Sequence, residues 1–530
     1  MPAPTAISFS YIPQGLRVPL FYAEFTTAAN QSNQQVQKTL LIGQPLAANP
    51  LPSTLTFLGS KANAQGLAGR GSMLARMAAA YFADDTFGEL WALPLADAGE
   101  AVAATGSISF TGPSTAAGTL SLYIGGVAVP VAVSSGMTAA ALATAVAAAI
   151  NGNPDLALSA AVDGADDYKV DLTAKNAGTL GNDIDVRLNY YGLAGGEAVP
   201  AGISVTLTGS PPSSSVMSGG ATDPDLAGVA AIIADNPFDF IVCPYTETTQ
   251  LNEIQAMMNQ SAGRWAYSRQ SYGHVWSSKR FYGANEAAAT GNITTFATAR
   301  NDPHVMIDCF YDSPTPSEER AADFCAASAV SLRADPARPL QTLPLSAVLA
   351  PPIASRFSFA DKQAILSQGG ALVDYDQSNT ARILRAVTTY QTNAWGTPDQ
   401  SYLDTETLFT LMAFIRRMKA MVTQTFPRSK LAANGTSYAS QNAFDLNIGA
   451  AIATPNSIRA ALVAEYQNMV DDGLVQDTEA FAAGLIVQIN ADDASRVDVL
   501  LDPVLVGGLR IFAALTAFLL QDPSNTNLAA

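Results

Sequence analysis

Thr39-Leu-Leu-Ile-Gly43, Gly71-Ser-Met-Leu-Ala-Arg-Met-Ala-Ala-Ala-Tyr81 and Leu90-Trp-Ala-Leu-Pro-Leu95 are the three runs that decide the fold. The first is a short apolar run closed by glycine, the pattern of a buried strand. The second sets Met73, Leu74, Met77, Ala80 and Tyr81 at helical spacing, so a helix is expected over Gly71–Asp84. The third is a second short apolar run, again a strand. Strand, helix and strand in this order make an α/β unit. The same character returns much later in the chain. Asp223–Ala234 is expected to be helical, Phe238–Cys243 a buried strand and Glu247–Ala262 a helix. His304–Cys309 reads as a further strand and Pro316–Val330 as a further helix.

Between these halves the composition changes. Residues 101–222 are glycine-rich, lack Trp, Cys and His, and hold only Lys169, Lys175 and Arg187 as bases. Short β-patterned runs at Gly106–Phe110, Thr119–Val133, Lys169–Thr173, Asp183–Tyr190 and Ile203–Thr208 surround one Ala-rich helix, Thr138–Asn151. The segment therefore reads as a mostly β module, 101–222, inserted into an α/β domain split into 27–100 and 223–400. A C-terminal α+β domain, 401–508, follows. Its long helix, Thr405–Gln424, sets Leu408, Leu411, Met412, Ile415 and Val422 on one face. A second helix is expected at Pro455–Asp471, and strands at Ala480–Asn490 and Val497–Leu501. Both chain ends are β-patterned and have no evident local partner. Ile7, Phe9 and Tyr11, then Val18, Leu20 and Tyr22, alternate in residues 1–26; Leu509, Ile511, Leu515 and Leu519 mark an apolar run in 509–530. The expected class is a multidomain α/β (α+β) fold with strand arms at both ends.

Composition excludes several functions. Hydrophobic residues make up 48% and charged residues 14%, against ~25% charged in an average soluble protein. A disordered chain would be rich in charge and poor in apolar residues. The net charge of −17 argues against nucleic-acid binding, which needs a basic face. So few solvating charges suit a surface covered largely by other copies. Cys243, Cys309 and Cys325 lack the spacing of a disulfide framework or zinc ribbon and are expected in the core of a protein in a reducing cytoplasm. Met1–Leu20 lacks the basic and apolar regions of a signal peptide. Val504–Leu520 is too short to span a bilayer and carries Arg510, so no membrane contact is expected.

Catalytic patterns are missing as well. His274 and His304 are the two histidines, and no G-x-S-x-G elbow presents a serine to either. No P-loop occurs, and Gly66, Gly69 and Gly71 fail the G-x-G-x-x-G spacing. Asp163, Asp166 and Asp167, with Asp183 and Asp185, match no calcium loop. No catalytic residue, metal or cofactor is expected. One charge feature remains: no acid falls between Glu406 and Asp445, while Arg416, Arg417, Lys419, Arg428 and Lys430 all do. These bases either complement a helix C-terminus or face something acidic.

Taken in order, the motifs resemble one family. Ile12-Pro-Gln-Gly-Leu-Arg-Val-Pro-Leu-Phe-Tyr-Ala-Glu24, Thr39-Leu-Leu-Ile-Gly43, Gly71-Ser-Met-Leu-Ala-Arg-Met77 and Trp91-Ala-Leu-Pro-Leu95 are similar to the N-terminal part of tail sheath proteins of Mu-like contractile phages. Gly178-Thr-Leu-Gly-Asn-Asp183, Tyr402-Leu-Asp-Thr-Glu-Thr-Leu408, Phe426-Pro-Arg-Ser-Lys-Leu431 and Arg496-Val-Asp-Val-Leu-Leu501 resemble its later parts. The resemblance implies a structural protein of the virion tail, assembled in the host cytoplasm. It implies a helical homo-oligomer around an inner tail tube, meeting baseplate and tail terminator proteins and contracting to drive the tube through the envelope. It also implies an outward-facing insertion, terminal arms that add strands to neighbouring subunits, and a C-terminal domain lining the lumen. On that reading Arg416, Lys419, Arg428 and Lys430 face the tube. The alternatives are the sheath of a prophage-derived contractile bacteriocin or related injection machine, an adhesion role for the module, and a hydrolase-like α/β enzyme.

Overall fold

A computed structural model of the chain describes residues 37–209, 215–435 and 452–518. The organising element is a six-stranded sheet. Lys38–Gly43 pairs in parallel with Phe238–Val242 on one side and Leu90–Pro94 on the other. Beyond Phe238–Val242 come His274–Phe281 and Val305–Tyr311, also parallel. The opposite edge is Thr56–Leu58, antiparallel to Leu90–Pro94. Parallel strands covered on both faces read as unbroken apolar runs. That is why Leu40, Leu41 and Ile42, and Phe240, Ile241 and Val242, are all buried.

Several expected helices shift at their ends, and Lys61–Ala68, Glu286–Thr298 and Phe359–Ser367 are helices where none was expected. Met73–Asp84 starts where the Ser72 hydroxyl accepts from the Ala75 N–H, an N-cap that satisfies an otherwise unpaired donor. Gly71 has φ +81°, and a Cβ there would lie 2.4 Å from the Leu156 carbonyl oxygen. Its smallness serves a close approach to the 101–222 segment. The expected helix at Asp223–Ala234 shrinks to Val229–Ile233, because Asp223 instead accepts from the Thr179 N–H and hydroxyl. The next helix ends at Met258, where Asn259 Oδ1 takes the N–H groups of Ser261, Ala262 and Gly263. Ser317–Ala334 runs past its expected end and is buried along most of its length, with Phe324, Cys325 and Leu332 in the main core.

Residues from Ala104 to Met217 enclose a core of their own, built from a four-stranded and a three-stranded sheet and the helix Ala139–Gly152. The chain enters and leaves this body side by side, with Val102 bridged to Ala221 and Thr105 to Ser218. More than the linkers joins it to the main domain. Arg187 holds Asp185 at 2.5 Å within the module and Asp312 of the main domain at 2.9 Å. Arg280 lies 3.6 Å from the same Asp185.

The long helix spans Thr405–Thr425 and belongs to two cores at once. Phe409 and Met412 pack into the main core, where Phe409 stacks on Phe240 with ring centres 5.0 Å apart. Phe414 and Met418 belong to a third core with Leu462, Tyr466, Met469 and Phe481. Val422 was expected on the inward face but is 42% exposed. A single-face wheel fails here because two cores grip different sides of the helix. The Ala480–Asn490 strand is corrected in part: Thr478–Gly484 is a helix capped by Asp477, and Ile486–Ile489 is the strand. Phe481 on that short helix stacks flat on Tyr466 at 3.8 Å, contact a solvent-edge strand would not supply.

Candidate functional site

The C-terminal run is where the fold leaves apolar surface uncovered. Leu509, Ile511, Phe512, Leu515 and Phe518 are all exposed, Leu515 completely. Residues 506–518 pair with no strand among the described residues. Burying one such side chain stabilises by ~1.5–3 kcal/mol, and five uncovered in one run form an apolar patch of the kind that marks interaction surfaces. Beyond Leu509, whose carbonyl accepts from Gln341, no ladder pairs the run among the described residues, and such backbone suits a sheet edge. Arg510 breaks the pattern. Its side chain is only 14% exposed and reaches Asp404 at 3.3 Å and Glu406 at 3.2 Å.

Among the described residues, the C-terminal part of the chain also holds a sheet with unpaired edges. Ile486–Ile489 pairs antiparallel with Val497–Leu500 as an isolated two-stranded sheet, and Ile486, Val499 and Leu500 are exposed. A two-stranded sheet is marginal alone; a third strand would extend its hydrogen bonding and cover those side chains. Ile7, Phe9, Tyr11, Val18, Leu20 and Tyr22 of the N-terminal arm, and Leu519, lie outside the described residues.

The basic stretch is less available than its sequence suggests. Arg416 grips Asp239 through two hydrogen bonds of 2.6 Å, with Asp239 almost fully buried. It is therefore not an unpaired charge awaiting an acidic partner, which corrects the expectation for this residue. Arg417 is likewise held by Glu465 and Asp472. Lys419 donates to Gln270 at 2.9 Å and stays exposed. Arg428 and Lys430 are exposed too. The partner of Arg416 lies 177 residues away in sequence, beyond the reach of any local charge count.

The residues that first suggested chemistry are occupied structurally. His304 is buried and stacked on Trp265 at 4.7 Å, and burial pushes it down to about 4. His274 packs edge-on against Trp276, and burial holds it well below the usual imidazole range. Cys243, Cys309 and Cys325 are all buried, and burial pushes the Cys243 thiol up to about 12. Asp163 accepts from the N–H groups of Ala165 and Asp166 and pairs with Lys169, closing a turn.

Residues 219–389 match the phage tail sheath protein central domain, and residues 397–518 match the phage tail sheath C-terminal domain. The Mu-like prophage FluMu tail sheath protein of Haemophilus influenzae is 34% identical over 518 residues, covering 97% of this chain and 100% of the relative. Among solved structures, a sheath tail protein from Desulfitobacterium hafniense aligns with 13% identity and a TM-score of 0.43, over 92% of this chain and 100% of that one. A chain of the anti-feeding prophage baseplate aligns with 9% identity and a TM-score of 0.46, over 96% and 99%.

Proposed function

The chain belongs to the phage tail sheath protein family, and on that premise we propose how it works: subunits polymerise into a helical sheath around an inner tail tube, and the sheath shortens to drive that tube through the host envelope. The observation that carries the reading is the exposed apolar run at 509–518 in a chain that also holds a two-stranded sheet, Ile486–Ile489 with Val497–Leu500, with no third strand among the described residues. A strand donated to a neighbour's sheet edge joins subunits by main-chain hydrogen bonds. Repeated head to tail without closure, the contact generates a filament. Contraction then needs two packings of folded subunits that stay tethered by their arms, with the extended packing metastable.

The role is structural rather than catalytic; burial of both histidines and all three cysteines supports this. The N-terminal arm, 1–26, supplies a further strand. The module, 101–222, is carried on the split domain, 27–100 and 223–400, and faces outward. The C-terminal domain, 401–508, lines the lumen. There Lys419, Arg428 and Lys430 meet the tube, while Arg416 ties the long helix to the main sheet. Baseplate and tail terminator proteins cap the ends, and assembly takes place in the host cytoplasm before the sheath becomes part of the virion. The test is to end the chain after Arg510. That protein should melt like the full chain yet remain monomeric by sedimentation, whereas the full chain forms tubes visible by electron microscopy. Tubes from the shortened chain would refute the arm's role.

A further inference from the structure

In the run Leu509-Arg-Ile-Phe512, burial is inverted: the three apolar side chains are exposed and the charged one is covered. Arg510 reaches into the first turn of the long helix, between Asp404 and Glu406. Asp404 is already held by Arg385 through two bonds of 2.8 and 3.0 Å. Glu406 is almost fully buried, and among the described residues its one ion pair is with Arg510; its other oxygen accepts from the Leu340 N–H at 2.7 Å. The backbone is fixed at the same point. Gln341 donates to the Leu509 carbonyl at 3.0 Å, and a Cβ on Gly508 would lie 2.5 Å from Pro339.

We propose that Arg510 is a positioning residue that anchors the root of the C-terminal arm in its own subunit, fixing where and in which direction the arm leaves. The physical case is one of asymmetry. A buried carboxylate without its cation is strongly destabilising, so Glu406 holds Arg510 in place even while every apolar neighbour is in water. The tail is thereby divided into a fixed root up to Arg510 and a donated portion from Ile511 onward. A fixed departure point restricts the search of the donated strand for its acceptor, which lowers the ordering cost of assembly. The mechanical consequence is that pull on an arm is delivered to the long helix, and through Phe409 and Phe414 to two cores. The second half of this inference rests on the sheath reading; the anchor itself does not.

The experiment uses the full chain with a nitroxide on Leu509→Cys; the native cysteines are buried and do not compete for label. Arg510→Met is compared with Arg510→Lys, and with Arg510→Met/Glu406→Gln, in which no buried charge is left unpaired and folding is preserved. Thermal melts confirm folding in each. The label should be immobile in the parent, mobile in both Met variants and restrained again with Lys. The subunit concentration at half-assembly should rise about tenfold in both Met variants, the scale of the extra ordering cost of a freed root. An immobile label in the double Met/Gln variant would overturn the anchor. A mobile label with unchanged assembly would overturn its positioning role. A parent that builds no tubes would sink the sheath reading, while the label still decides the anchor.

Discussion

Arg416 and Lys419 stand three residues apart on one helix but do different work. Arg416 neutralises Asp239, a carboxylate at the start of a buried central strand, and removing either partner leaves a charge in low dielectric. Arg416→Met should therefore cost about 3 kcal/mol in urea unfolding. Lys419→Glu should leave stability within about 0.5 kcal/mol and weaken binding to the inner tube in low salt. Screening acts over ~8 Å at physiological salt, so that loss should fade as salt rises. A stable Arg416→Met subunit would contradict the tie. At His304 the relevant variable is pH. Burial holds the ring down to about 4, whereas an unfolded imidazole titrates near ~6.5. As pH falls through that window the unfolded chain takes up the proton first. Stability from this site is full above ~6.5 and lost toward ~4, by about 3 kcal/mol. Asp183, pushed up to about 6 by burial, slopes the other way, so the test is the difference between wild type and His304→Phe. No pH-dependent difference would remove the assignment. None of these partnerships could be read locally: Trp265 and Asp239 are brought in by the sheet.

The long helix shows what periodicity can and cannot convey. Its limits were legible to within a residue, because apolar spacing and the Pro427 beyond it mark both ends. Its buried side was only partly legible. Leu408 and Met412 turn inward as expected, yet Phe409 and Phe414 are buried and Val422 is not. A hydrophobic wheel assumes one core, and this helix is shared by two. Phe414→Ala, which opens a hole beside the stacked Tyr466 and Phe481, should cost about 3–5 kcal/mol. Val422→Asp should change stability by no more than about 0.5 kcal/mol. Equal losses from the two, measured by chemical denaturation, would contradict the shared-core description. The central parallel strands were legible for a simpler reason. Burial on both faces leaves unbroken apolar runs, as in Phe238–Val242, and these need no knowledge of neighbours. His274–Phe281 escaped notice because Ser277, Ser278, Lys279 and Arg280 interrupt its run. Those side chains are satisfied by distant groups, such as the Cys243 carbonyl for Ser277 and the Ser313 carbonyl for Arg280.

At the scale of the whole molecule, the segment 101–222 is both separate and fastened. It has its own core, but Asp185 and Arg187 share buried charges with Arg280 and Asp312. An inserted module joined only by its linkers would be cut away cleanly between Val102 and Ala221, with a short Gly/Ser linker in its place. Excision leaves Arg280 and Asp312 without those partners, so it should lower the melting temperature more than excision combined with Arg280→Met and Asp312→Asn. The reverse order would show that the shared charges carry no weight. Assembly is the larger claim: an arm uncovered in the single subunit is covered in the sheath by a neighbour's sheet. The most direct measurement is a cryo-electron microscopy reconstruction of the tubes formed by the full chain. A strand from 511 onward of one subunit should lie against an edge of a two-stranded sheet, such as Ile486–Ile489 with Val497–Leu500, in the next. An arm folded back on its own subunit, with those edges left uncovered, would contradict it.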